Sequence, residues 1–266
     1  MSDSGVAGRW LAEARQLLQR FEETQMGAVA EAVDLAVGAI DGGGLVHLFG
    51  SGHSRIPVEE MFPRYGSFPG FHPMVELSTT FHTQIAGSNG QRQAMFVERV
   101  EGFAEQVLAN FELQPPDCMM VFSAGGRSAA PIEMAMGARR RGLPVVVVTS
   151  LLQSDAAPSG HSSGTRLYDH ADVIIDIGTP AADALIELDG LETPVGPGST
   201  LVYTAVVNEI KVQTAARLVE LGSMPAVITA SSVVGAERSS ELFDLAYADH
   251  ADRYARRLRR SATGDR

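Results

Sequence analysis

Short, continuous apolar runs alternate along this chain with longer stretches whose apolar positions recur every three or four residues. Leu45 to Phe49, Cys118 to Phe122, Pro144 to Thr149 and Val173 to Ile177 are too short for helices and rich in β-branched or apolar residues, so they read as strands. The unbroken valines of the third run predict burial on both faces, as in a parallel sheet. Pro73 to Leu77 is a fifth, weaker candidate. Helical spacing covers residues 9–40, where Trp10, Leu11, Ala14, Leu17, Leu18 and Phe21 form one stripe, and a break is expected near Thr24 to Gly27. Further helices are predicted over Ile56 to Pro63, Gln93 to Phe111, Pro131 to Arg141, Ser199 to Leu221 and Ser239 to Arg260, while Val227 to Ser232 is ambiguous.

This alternation predicts an α/β fold: a flavodoxin-like, doubly wound, five-stranded parallel sheet preceded by N-terminal helices. The triple glycine Gly42-Gly43-Gly44 stops the first helical stretch. We therefore expect an N-terminal helical segment over 1–43, an α/β domain over 44–232, and a C-terminal helix with a basic tail over 233–266.

Two of the predicted strands run straight into serine- and glycine-rich loops, Gly50-Ser51-Gly52-His53-Ser54 and Ser123-Ala124-Gly125-Gly126-Arg127-Ser128. Each loop precedes a predicted helix. Glycines let backbone N–H groups approach an anion, the helix start supplies unpaired donors, and hydroxyls complete the cradle. In a 2-1-3-4-5 strand order these loops follow strands one and three, where the winding reverses and ligands bind. Two loops thus point to one phosphate-binding pocket.

The net charge of −11 argues against a broad nucleic-acid surface, and no apolar stretch reaches the roughly 20 residues of a membrane helix. One cysteine, Cys118, and the lack of a basic start followed by an apolar run fit a cytoplasmic location. Arg253, Arg256, Arg257, Arg259 and Arg260 are expected to form a solvated helix end. His72, His82, His170 and His250 have no spacing typical of a metal site.

The two loops and their placement resemble those of the SIS (sugar isomerase) domain, the phosphosugar-binding fold of phosphoheptose isomerases. The resemblance runs from about Leu45 to Leu221. It implies that Ser51, Ser54, Ser123 and Ser128 hold a phosphate, that Gly52, Gly125 and Gly126 admit the backbone, and that Thr149 and Ser150 contact the sugar. The segment from Val58 to Gly66 is similar both to the glutamate-bearing segment of phosphoheptose isomerases and to that of N-acetylmuramate 6-phosphate etherases. In both, the catalytic glutamate matches Glu60. Two departures stand out: Ile56 replaces the isomerases' metal-binding histidine, and Ala216 replaces a histidine seven residues beyond the position of Glu209.

The resemblance therefore implies a small-molecule sugar phosphate as ligand and aldose–ketose isomerisation as the reaction, with Glu60 as general base and no metal or other cofactor. His161, His53 or Glu209 would move the second proton. One alternative is an etherase-like lyase using Glu60 and Glu101, the latter in an Arg-Val-Glu-Gly context like that of the etherases. Another is a sensor that binds without turnover. A homodimer or homotetramer is expected, with no nucleic-acid or membrane partner.

Overall fold

The computed structural model describes residues 5–80 and 90–258. Helix α1 (Arg9–Asp41) leads into β1 (Val46–Gly50), a short 3-10 turn, α2 (Ile56–Met61) and β2 (Phe71–Pro73). Three short helices follow, α3 (Leu77–Thr80), α4 (Gln91–Val97) and α5 (Phe103–Leu108), before β3 (Cys118–Phe122) and α6 (Ala129–Arg140). The chain continues through β4 (Val145–Thr149), α7 (Leu151–Asp155), β5 (Val173–Asp176), α8 (Ser199–Leu221), α9 (Ser231–Val234) and α10 (Ala236–Ala255). The five strands form one parallel sheet in the order β2-β1-β3-β4-β5. The expected doubly wound architecture is present.

Alternation along each strand splits the core in two. Leu48, Met120, Phe122, Val146, Val148 and Ile175 face α1 and α8, while Phe49, Met119, Val121, Val145 and Val147 face α5 and α6. Residues of β1, β3 and β4 are buried throughout, which is what continuous apolar runs require.

Four local expectations are corrected. Residues 9–41 form one helix, not two: Thr24 Oγ1 donates back to the Arg20 carbonyl at 2.7 Å, and Gln25 Oε1 accepts the Asp176 N–H at 2.9 Å. Packing against the edge of β5 thus holds the turn where propensity suggested a break. β2 lies earlier than Pro73 to Leu77, because Phe71, His72 and Pro73 pair with Val46, His47 and Leu48. Pro73 is tolerated there because β2 is an edge strand. The expected helix from Gln93 to Phe111 is two helices, since Gly102 at φ 88° turns the chain between α4 and α5.

The basic C-terminus is the fourth correction. Arg253 and Arg257 are buried, not solvated. Arg253 Nη1 donates to the carbonyls of Ile40 (2.7 Å) and Gly44 (3.0 Å), which caps the end of α1. Arg257 forks onto the buried carboxylate of Asp117, which also accepts the Leu45 N–H at 2.9 Å and meets His47 Nε2 at 3.2 Å. Burial alone would raise the Asp117 pKa, but hydrogen bonds from His47 and Arg257 outweigh it and hold the carboxyl below its ordinary range. Arg259, Arg260 and His82 lie outside the described residues.

Candidate functional site

At the carboxyl ends of β1 and β3 the two serine loops face each other across one cavity of about 540 Å³. Gly50 makes the first loop possible: a Cβ there would sit 2.1 Å from the Ser54 carbonyl oxygen. In the second loop Gly126 adopts φ 56° and its N–H donates to Ser123 Oγ at 3.1 Å. Ser51, Gly52, His53 and Ser54 line one side of the cavity. Ser123, Gly125, Gly126 and Ser128 line the other. Eight of the expected residues are thus brought together as the sequence suggested.

The remaining five are placed elsewhere. Thr149 is buried beneath the second loop, donating to the carbonyls of Ser123 (2.7 Å) and Ala124 (3.2 Å). Ser150 caps α7 and donates to the Thr179 carbonyl at 2.6 Å. The Thr149 hydroxyl thus supports the second loop, and the Ser150 hydroxyl ties the start of α7 to Thr179. Glu60 turns towards α8: its carboxylate accepts from Arg64 (2.7 Å) and Asn208 (3.2 Å), and its carbonyl accepts from Lys211 Nζ (2.8 Å). Burial raises its pKa, but the Asn208 and Arg64 hydrogen bonds prevail and keep it ionised. Glu209 accepts from Gln213 at 2.7 Å on α8. His161 is not among the residues lining the cavity and lies beside Glu101 and Glu133, although its neighbour Gly160 lines the cavity.

Sequence reading missed the residue that joins the two loops. Glu98, just past the end of α4, accepts from Ser51 Oγ at 2.8 Å and from Ser128 Oγ at 3.2 Å. Its backbone carbonyl accepts the Ala130 N–H at 2.9 Å, in the first turn of α6. Ser128 is the N-cap of α6, yet its side chain makes no capping bond and turns to Glu98 instead. A carboxylate thus rests on hydroxyls from both loops at a helix start, where an anion is stabilised. Arg99 and Arg127 line the same cavity, and Arg127 Nε is buried with no hydrogen-bond partner among the described residues. Glu98 carries no motif; a left-handed Gly102 four residues later, between α4 and α5, was the one sequence cue that the helical stretch is interrupted near it.

A family model described as SIS domain matches residues 9–150. A UPF0309 protein of Streptomyces coelicolor is 32% identical over 235 residues, covering 88% of this chain and 92% of that one. A UPF0309 protein of Listeria monocytogenes is 31% identical over 226 residues, covering 85% and 89%. Among solved structures, a phosphoheptose isomerase from Francisella tularensis superposes with a TM-score of 0.53 at 15% identity, over 80% of this chain and 98% of that one. That likeness is one of fold.

Proposed function

The chain belongs to the SIS domain family, and on that premise we propose that the cavity between the serine loops binds a phosphorylated sugar. The observation that carries the reading is the Glu98 carboxylate bridging Ser51 and Ser128. It is an oxyanion supplied by the chain itself, held by the hydroxyls that a phosphate would use. Two such charges about 4 Å apart near a protein surface repel by roughly 4 kcal/mol, so phosphate and Glu98 do not share the cradle. The phosphate takes the place of Glu98, and Arg127, whose Nε has no hydrogen-bond partner among the described residues, adds a charge-assisted bond. The sugar then extends along the wall that carries His53 and Arg99.

A second reading adds turnover, aldose–ketose isomerisation with Glu60 as base. It rests on Glu60 lying on α2, directly after the first serine loop, and on its carboxylate being ionised as a base must be, although the Arg64 and Asn208 hydrogen bonds that ionise it also lower its basicity. It requires Glu60 to turn from Arg64 and Asn208 towards the ligand. Calorimetric and thermal-shift titration with pentose, hexose, heptose and amino-sugar phosphates tests the binding reading: stabilisation by a phosphorylated sugar and none by its unphosphorylated form is expected. Equal response to both, or to neither, removes it. For any sugar that binds, NMR in deuterated water reads exchange of the C2 proton. Exchange together with an aldose–ketose mixture, both abolished by Glu60→Gln while binding persists, supports isomerisation; exchange with loss of an ether substituent points to the lyase alternative, and binding without turnover leaves a sensor.

A further inference from the structure

Outside the cavity lining, three side chains far apart in sequence meet: Glu101 between α4 and α5, Glu133 on α6, and His161 in the loop after α7. A ligand atom from each lies within 4.8 Å of the others. From this geometry we propose that Glu101, Glu133 and His161 bind one divalent transition ion of the zinc class.

The decisive feature is the His161 ring. Its side chain is only 8% exposed, yet Nε2 lies 3.5 Å from Glu133 Oε1 and 4.0 Å from Glu101 Oε2. Both separations exceed a good N–H···O hydrogen bond. Bonds of about 2.0–2.1 Å place neighbouring ligands of a tetrahedron about 3.3–3.4 Å apart, which the Glu133 separation matches, while the exposed Glu101 carboxylate closes by a rotation of its side chain. One imidazole and two carboxylates with water as the fourth ligand is a donor set that zinc accepts, and the nitrogen disfavours magnesium or calcium.

Outer contacts already orient each ligand, as metal sites require. Both Glu133 oxygens accept the Gly102 N–H, at 2.7 and 2.9 Å. Glu101 accepts from Ser162 N–H and Oγ, both at 2.6 Å. These bonds leave lone pairs on the carboxylates for an ion. His161 Nδ1 is 2.7 Å from Ser163 Oγ, and the Ser163 N–H also points at it from 3.1 Å. Binding would move the ring proton from Nε2 to Nδ1, where it is donated to Ser163 Oγ, and the N–H of the exposed Ser163 would bond water in place of Nδ1. The ion would tie together three segments that each line the cavity, through Glu98 and Arg99, through Ser128, and through Pro158 and Gly160.

The test uses the full chain, freed of metal by chelation and titrated calorimetrically with Zn2+ alone, with Co2+ as a spectroscopic substitute. One ion per chain at micromolar or tighter affinity is expected, together with a tetrahedral Co2+ absorption band. His161→Ala and Glu133→Gln should each weaken binding by about tenfold or more. His250→Ala, in the separate histidine cluster beside His72, should leave it unchanged. The proposal fails if the wild-type chain binds no ion at this affinity, if both variants bind as tightly, or if His250→Ala is the variant that loses it. Should His161→Ala not fold by circular dichroism, Glu133→Gln and the Co2+ spectrum decide.

Discussion

Single side chains set the sign of the sharpest expectations. An ordinary binding residue weakens its ligand when removed; Glu98, by holding Ser51 and Ser128, should do the reverse. Glu98→Gln is expected to tighten sugar-phosphate binding by about tenfold or more, since the displaced charge is lost. Calorimetry against the wild type reads this, and weaker binding would count against the cradle. Arg257 is the other case. Its guanidinium pairs with a fully buried carboxylate, so Arg257→Ala strands much of that charge and should destabilise the fold by about 3–5 kcal/mol in urea. Neither role was legible beforehand. Glutamate and arginine are ordinary surface residues until the fold decides what lies next to them, whereas the serines of both loops declared themselves by sharing short glycine-containing loops that directly follow apolar runs.

Elements with unbroken apolar runs or a clear cap signal were legible almost to the residue. β3 begins and ends at the expected Cys118 and Phe122, and α8 at Ser199 and Leu221. The misplaced elements are those where local preference and packing disagree. In α1, Gly27 weakens the helix locally, yet the helix is held from both sides by α8 and β5. Gly27 is exposed and a Cβ there meets nothing within 4 Å, so Gly27→Ala should stabilise the protein by about 0.5–1 kcal/mol. Thermal melts that fall instead would mean the glycine has a packing role. In the stretch from α4 to α5 the balance tips the other way: Gly102 takes up a left-handed conformation and its N–H is bound by Glu133. The same residue type was read as a break in one place and passed over in the other, and only the neighbours distinguish them.

At the scale of the whole molecule, α10 closes the end of the sheet opposite the cavity. Its Tyr254 stacks on His72 at 4.5 Å, with His250, His47 and Phe111 around the same ring. Burial first, then the neighbouring His47 and His250, push the His72 imidazole down to about 3, against a smaller opposing pull from Asp117. The unfolded chain takes up this proton near pH 6.5, the folded protein only near 3. The stability that His72 contributes is therefore whole above pH 6.5 and is lost as pH falls towards 3, by up to roughly 1.4 kcal/mol per unit. Denaturation midpoints measured from pH 8 to 4 should fall on this slope, and His72→Phe should flatten it. A variant with the wild-type slope would place the proton uptake elsewhere.

The amino-acid order alone determined the layered architecture and the meeting of the two serine loops, because periodicity and turn chemistry act over a few residues and the strand order follows from packing helices on both faces. Tertiary structure alone decided that Glu98 occupies the cradle, that Glu60 faces α8, that Arg257 is buried, and that Glu101, Glu133 and His161 converge. Those outcomes depend on which charged groups share a low-dielectric space, and partners more than 25 residues apart leave no trace in local pattern.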